Sequence, residues 1–263
     1  MINPIQADTV SAAWYEAVTA TRAVAGHKVF HLIVTITDPV AEDDATRHEV
    51  DKLLANLGLQ TVETVANTIM PTGLAALCRT HEQLVAKYRA SYEVIQRFPK
   101  NSWGTYFGRL VAYPVGSERH PAPFDQLAPV IKALRGERVI GANYETALAT
   151  AEDAAEPSEI PDPGTLIHHP TRGRHGRGGP CLSNVAFQRE GNRVHAVAHY
   201  RSHYLLERAY GNYLGLGQLV RYVAQQAGLE VGRLTVVAGY AQIEGHLSDL
   251  DKTLDRIADQ RLI

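Results

Sequence analysis

CLSNVAFQREGNRVHAVAHYRS, residues 181–202, is the stretch that decides the fold. Apolar and polar side chains alternate on both sides of Glu190-Gly191-Asn192. That is the pattern of two strands with one buried face each, joined by a tight turn. Hairpin strands run antiparallel, so a sheet built on them is antiparallel or mixed rather than doubly wound. Working outward, Tyr204 to Gln226 carries helical periodicity and stops at Ala227-Gly228, where glycine suits a helix C-terminus. LTVVAGYAQIE, 234–244, reads as a buried strand, and 247–260 as a terminal amphipathic helix. Upstream, KVFHLIVTIT, 28–37, is a β-branched run of strand length that ends at Asp38-Pro39. Residues 8–25, 46–57, 74–98 and Phe124–Leu134 have helical spacing, while TYFGRLVAY, 105–113, and RVIGANY, 138–144, read as strands. The expected class is α/β in the α+β sense, a large mixed β-sheet flanked by helices.

The chain of 263 residues is read as one domain, 1–263. ATAEDAAEPSEIPDPG, 149–164, is acidic and proline-rich; HHPTRGRHGRGGP, 168–180, is basic and glycine-rich. Together they mark a long loop before the 181–263 core. A formal charge of -2 gives no global attraction to nucleic acid or to an anionic membrane, so any anion site must be a local concentration of positive charge. Two cysteines, Cys78 and Cys181, make neither a disulfide framework nor a zinc or iron-sulfur pattern. With no signal peptide and no apolar run of membrane-spanning length, a cytoplasmic protein is expected, in which both thiols stay reduced. The glycines of 173–179 precede a strand rather than follow one, the wrong order for a dinucleotide or P-loop fingerprint.

Chemistry concentrates at Gly179-Pro180-Cys181. Proline fixes the backbone before a cysteine that opens a strand, and arginines nearby would lower its pKa and make it a nucleophile. The residues alone leave a second reading open, in which Cys181 packs as a small hydrophobe. His199 and His203 flank Arg201-Ser202 and are candidate proton shuttles. No ligand spacing for a metal is present. Cys78 lies on an apolar helical face and reads as core.

The order Pro180-Cys181, hairpin, Tyr200-Arg201-Ser202, a helix with Asn212, Ala224-Gln225-Gln226 and Leu229-Glu230-Val231-Gly232 resembles the thymidylate synthase and pyrimidine hydroxymethylase family. YFGRLVAYP, 106–114, and FDQLAPVIKALRGERVI, 124–140, extend the resemblance more loosely. It implies a thymidylate synthase-like fold and one-carbon transfer, as methyl or hydroxymethyl, to C5 of a pyrimidine nucleotide. Cys181 would add to C6 of the base, Arg201 and Ser202 would hold the phosphate, and Asn212 would pair with the base edge. The donor implied is 5,10-methylenetetrahydrofolate, and the assembly a homodimer whose sheets pack face to face, with subunits sharing arginines.

The sequence also departs from the family. Tyr204 stands where the family has an aspartate, and Gln242 and Glu244 replace the histidine and tyrosine that hold the sugar hydroxyl. The family's N-terminal arginine loop has no counterpart, and Arg177, with Arg172 and Arg174, is the candidate replacement. Arg138 or Arg135 partly meets the cross-subunit arginine pair. The catalytic glutamate has only Glu82 and Glu63 as candidates. The chain stops soon after the Gln242 strand, without the tail that closes over folate in the family. A specialised branch, as in modified-nucleoside biosynthesis, is the first expectation. Folate-independent chemistry at Cys181 and a non-catalytic nucleotide-binding homologue are the alternatives.

Overall fold

A computed structural model describes residues 2–97, 104–114, 122–136, 144–149 and 180–261. The hairpin forms as its alternation requires. β4 (Leu182–Glu190) pairs antiparallel with β5 (Arg193–Tyr200), across a turn in which Gly191 takes φ 58°. β5 runs parallel to β7 (Glu230–Gln242), β7 antiparallel to β2 (Lys28–Ile36), and β2 parallel to the short β1 (Ile5–Ala7). β3 (Glu145–Ala147) closes the far edge against β4, and β6 (His203–Tyr204) pairs with the end of β7. The result is a mixed, 7-stranded sheet of order β1-β2-β7-β5-β4-β3, with β6 off that path.

One face of the sheet makes the core. Leu32, Val34, Val194, Ala196, Ala198, Leu234, Val236 and Ala238 are buried there. α1 (Val10–Arg22) and α8 (Ala209–Ala227) pack beside one another on that sheet, with α1 against β1 and β2 and α8 against β5 and β7. Their junction is pinned by Trp14 Nε1 donating to Leu205 O at 2.9 Å and by a 2.8 Å hydrogen bond between Ser11 and Tyr210. α2 (Asp44–Asn56) carries α9 (Leu247–Arg261) through an Arg256–Glu49 ion pair of 2.5 Å. α3 (Val62–Asn67) lies on α8. A positive φ of 56° at His31 breaks the alternation of β2, so Phe30 faces away from the core and meets Tyr240. Phe30 is 65% exposed and Val197 38%.

Several sequence expectations are corrected. Residues 105–113 form a helix, α6 (Tyr106–Val111), rather than a strand. Thr105 caps it by accepting from Gly108 N, and all six helical residues are buried, so the apolar run carried no period that could separate the two states. The expected helix 74–98 is two, α4 (Thr72–Ala76) and α5 (His81–Gln96), because Thr80 starts a new helix by accepting from Gln83 N. α7 (Leu127–Leu134) begins three residues later than Phe124. α8 starts at Ala209, not Tyr204, and β7 at Glu230, not Leu234. β1 and α3 lie where the sequence pattern marks no element, and β6 takes Tyr204, which the pattern places at the start of the helix. Of RVIGANY only Tyr144 is described; residues 150–179, with almost all of the acidic and basic loop, lie outside the described residues. Among the described residues, no helix is long and apolar enough to cross a membrane.

α8 sits at backbone distance from its neighbours. A Cβ on Gly211 would stand 2.8 Å from Val62 O, one on Gly215 2.7 Å from Ala66 O, and one on Gly217 1.7 Å from Pro39 O. Gly217→Ala therefore forces backbone apart, and a loss of about 2–3 kcal/mol is expected in urea unfolding, the upper range for overpacking. Gly73→Ala, in α4 with nothing within 4 Å of its Cβ, is the control; it is expected to be neutral or stabilising by about 0.5–1 kcal/mol.

Candidate active site around Cys181

Cys181 precedes β4, and its carbonyl accepts from Arg201 N at 3.0 Å. That bond closes the open end of the hairpin and fixes the thiol beside the Arg201-Ser202 corner. From there the chain turns into β6, where His203 pairs with Ala241 and Tyr204 with Gln242, and then enters α8. Asn212, in the first turn of α8, is buried, with Nδ2 3.1 Å from His203 Nε2. Cys181, Arg201, Ser202 and Asn212 are thus brought to one end of the sheet.

Four aromatic rings connect them. Tyr106 of α6 meets Tyr200 edge-on at 6.4 Å, His203 stacks on Tyr200 at 4.3 Å, and Tyr213 meets His203 edge-on at 5.5 Å. Tyr200 OH, Ser202 Oγ, His203 Nδ1 and Tyr213 OH are all buried without a hydrogen-bond partner among the described residues. Leaving one such atom unpaired costs about 1–3 kcal/mol, and nearly all buried polar groups in native folds are paired. Four orphans in one cluster make it a candidate place for a polar partner, ordered water included.

The electrostatics differ from the sequence reading. Burial pushes the Cys181 thiol up, and the guanidiniums of Arg201 and Arg208 only partly counter it. A lowered thiol pKa had been expected from arginine proximity, but removal from water outweighs it. Burial also raises the Tyr106 phenol, with the Cys181 charge adding to the rise; hydrogen bonds to the backbone of Leu182 and Cys181 oppose it. His203 is held down at about 3 by burial, so it is neutral at physiological pH. This removes it as a proton shuttle. If Asn212 Nδ2 donates to Nε2, the ring proton is on Nδ1, a neutral donor. His199 is exposed on the other face of β5, where Nδ1 lies 3.4 Å from Ser183 Oγ.

The remaining candidates separate. Glu244 accepts from Glu207 N at 2.5 Å and from Leu206 N at 3.4 Å, so its carboxyl braces the turn into α8. Burial lifts it to about 7. Gln242 is buried, and its Oε1 accepts from Tyr240 OH at 3.0 Å. Tyr204 is half-buried beside it. Glu63 is exposed in an ion pair with Arg47, and Glu82 is exposed in the first turn of α5. Arg135 Nε donates to Gln226 O at 2.8 Å. Arg138, Arg172, Arg174, Arg177, His168, His169 and His175 lie outside the described residues.

Sequence reasoning missed Arg208, Tyr106, Tyr200 and Tyr213. Arg208 is tied to Glu207 at 3.0 Å and to Gln60. One signal was available: Tyr200, Tyr204, Tyr210 and Tyr213 crowd a short stretch in a chain with 12 tyrosines. Among the described residues, no group of three or more His, Cys, Asp or Glu side chains is placed to hold a metal ion. Compared with known proteins, the chain matches no protein-family model and no curated relative.

The two buried titrating groups predict opposite pH effects. His203 falls from an ordinary 6.5 to about 3, so between those values the unfolded chain binds more protons and stability drops as pH falls. Glu244 rises from 4.5 to about 7, so the folded chain binds more protons there and stability drops as pH rises through that window. In urea unfolding at pH 5 and pH 7.5, His203→Gln should lose less stability than wild type on acidification. Glu244→Gln should lose less than wild type on going alkaline. Each difference should be about 1 kcal/mol or more.

Proposed function

We propose that the Cys181 cluster binds a pyrimidine nucleotide and that Cys181 adds covalently to C6 of its base, as in the family the sequence resembles. The observation that carries the reading is the set of orphaned polar atoms gathered around one thiol and two guanidiniums. A nucleotide supplies what they lack. Its phosphate suits Arg201 and the Ser202 hydroxyl, because a guanidinium is a bidentate anion clamp. Its base edge offers both a donor and an acceptor, which Asn212 and the neutral His203 can meet from one side.

The chemistry follows from the same groups. The resting thiol is protonated, so it must give its proton to solvent water as sulfur attacks C6. The C5–C6 π electrons then move toward O4 and make C5 nucleophilic. Arg201 and Arg208 favour the thiolate form in which this addition starts, and neutral donors near His203 can stabilise the enolate oxygen. If C5 takes a proton from solvent, loses its original proton and then expels the thiolate, the result is exchange of the C5 hydrogen; if C5 captures an electrophilic carbon, loses its proton and expels the thiolate, the result is one-carbon transfer.

The phosphate and base engage Ser202 and His203 among the orphaned groups, and the Tyr200 and Tyr213 hydroxyls line the same cluster. Methylenetetrahydrofolate is the donor that the adduct experiment tests. The open sheet face, with Phe30 and Val197 exposed and Val237 partly so, supports the homodimer reading, since an exposed apolar sheet face is an association surface.

Intact-protein mass after incubation with 5-fluoro-UMP and 5-fluoro-dUMP, with and without methylenetetrahydrofolate, tests the chemistry. A nucleotide-sized increment that vanishes in Cys181→Ala is expected; a further folate increment assigns one-carbon transfer, and nucleotide alone assigns the folate-independent alternative. No increment, with nucleotide binding intact in Cys181→Ala, leaves the non-catalytic homologue. Arg201→Ala should weaken UMP or dUMP binding by about 10- to 100-fold, the worth of charge-assisted hydrogen bonds. Phe30→Asp combined with Val197→Asp should convert a dimer to a monomer in light scattering; an unchanged mass removes the face-to-face reading.

A further inference from the structure

A second cavity, of about 320 Å3, opens on the other flank of α8, between that helix and the α4–α5 corner. Arg221 on its wall follows Asn212 by nine positions, about two and a half helical turns. The two side chains therefore leave opposite sides of α8, about 14 Å apart along its axis. The cavity is separate from the Cys181 cluster.

Arg221 is the charged residue among those lining it, with no aspartate or glutamate on its wall. Arg221 is half-buried and makes no hydrogen bond or ion pair with another described residue. Other half-buried arginines behave differently. Arg22 is paired with Asp251, Arg47 with Glu42, Asp51 and Glu63, and Arg189 with the carbonyls of Leu134 and Gly136. Next to Arg221 on the same wall, Gln218 Oε1 is buried without a partner. Met70 and Leu84, both fully buried, give the cavity an apolar side. The Tyr222 wall is held rigid: its hydroxyl lies 2.9 Å from His81 Nδ1, and His81 Nε2 lies 2.8 Å from Asp125. That chain ties α8 to α5 and to the residues before α7, so the cavity is preformed.

We propose that this cavity binds a small organic carboxylate with a ring-sized apolar body and a hydrogen-bond donor. The carboxylate pairs with Arg221, the ring lies against Met70 and Leu84, and the donor reaches Gln218 Oε1. A single guanidinium suits a monoanion, whereas a phosphate would call for further cations or a nest of backbone amides. The site stands whether or not Cys181 is catalytic.

The test is ligand-observed NMR titration of the full chain with two probes, 4-hydroxybenzoate and indole-3-acetate. Saturable binding of at least one is expected. It should weaken about 10-fold or more in Arg221→Gln, the loss of a charge-assisted pair, and remain at the wild-type value in Cys181→Ala. The matching neutral amide, 4-hydroxybenzamide or indole-3-acetamide, should bind wild type about 10-fold more weakly, a comparison that needs no variant to fold. Failure of both acids to bind saturably overturns the proposal. So does an amide that binds as well as its acid, or binding that Cys181→Ala abolishes.

Discussion

The close approach of α8 to the backbone around it governs this molecule. Gly211, Gly215 and Gly217 let α3 and the Pro39 segment come within a distance that any Cβ would forbid. With the helix set there, its first turn delivers Asn212 to the thiol end of the sheet, and its later turns deliver Gln218, Arg221 and Tyr222 to the second cavity. The hairpin end is locked to the same helix through the Arg201–Cys181 backbone bond, β6 and the Glu244 brace. Position in both places is thus inherited from packing, which is how a scaffold holds functional groups more tightly than a loop can.

Around Cys181 two opposing effects set the state of the thiol. Two guanidiniums favour the thiolate, and exclusion of water disfavours it by more. A thiol kept protonated at rest resists oxidation, because the thiolate is the reactive species. On the proposed function, a bound nucleotide would bring new polar partners to the orphaned hydroxyls and the His203 ring. The neutral state of His203 belongs to the same logic: in so dry a setting a donor can be kept, but a charge cannot.

Much of the fold was legible in the residues. Strict alternation on both sides of Gly191 gave the hairpin, Gly228 ended α8 with φ 73° as a left-handed cap, and the β-branched run 28–37 gave β2. The failures have physical causes. Tyr106–Val111 is buried on every side, so neither helical nor strand period is written in it. Thr80 splits one apparent helix because a side-chain cap competes locally with a long amphipathic pattern. Of the site, Cys181, Arg201, Ser202 and Asn212 could be named in advance because Cys181 stands just before the hairpin and the others after it, in the order of the family the sequence resembles. Arg208 and Tyr106 could not, since their relation to the thiol exists only after the chain folds. Glu244 was named for the wrong reason: its place at the strand end was legible, but the backbone amides that claim its carboxyl were not.

On the proposed function, a nucleotide occupies the space beside Cys181. The most direct test is the rate at which methyl methanethiosulfonate labels each cysteine, read by peptide mass spectrometry with and without UMP, dUMP or CMP. Cys78 lines the second cavity and serves as the internal reference. At least one nucleotide should slow labelling of Cys181 in a saturable way and leave the Cys78 rate unchanged. Equal rates at Cys181 with and without every nucleotide, at concentrations well above 1 mM on the scale of weak binding, would contradict the account.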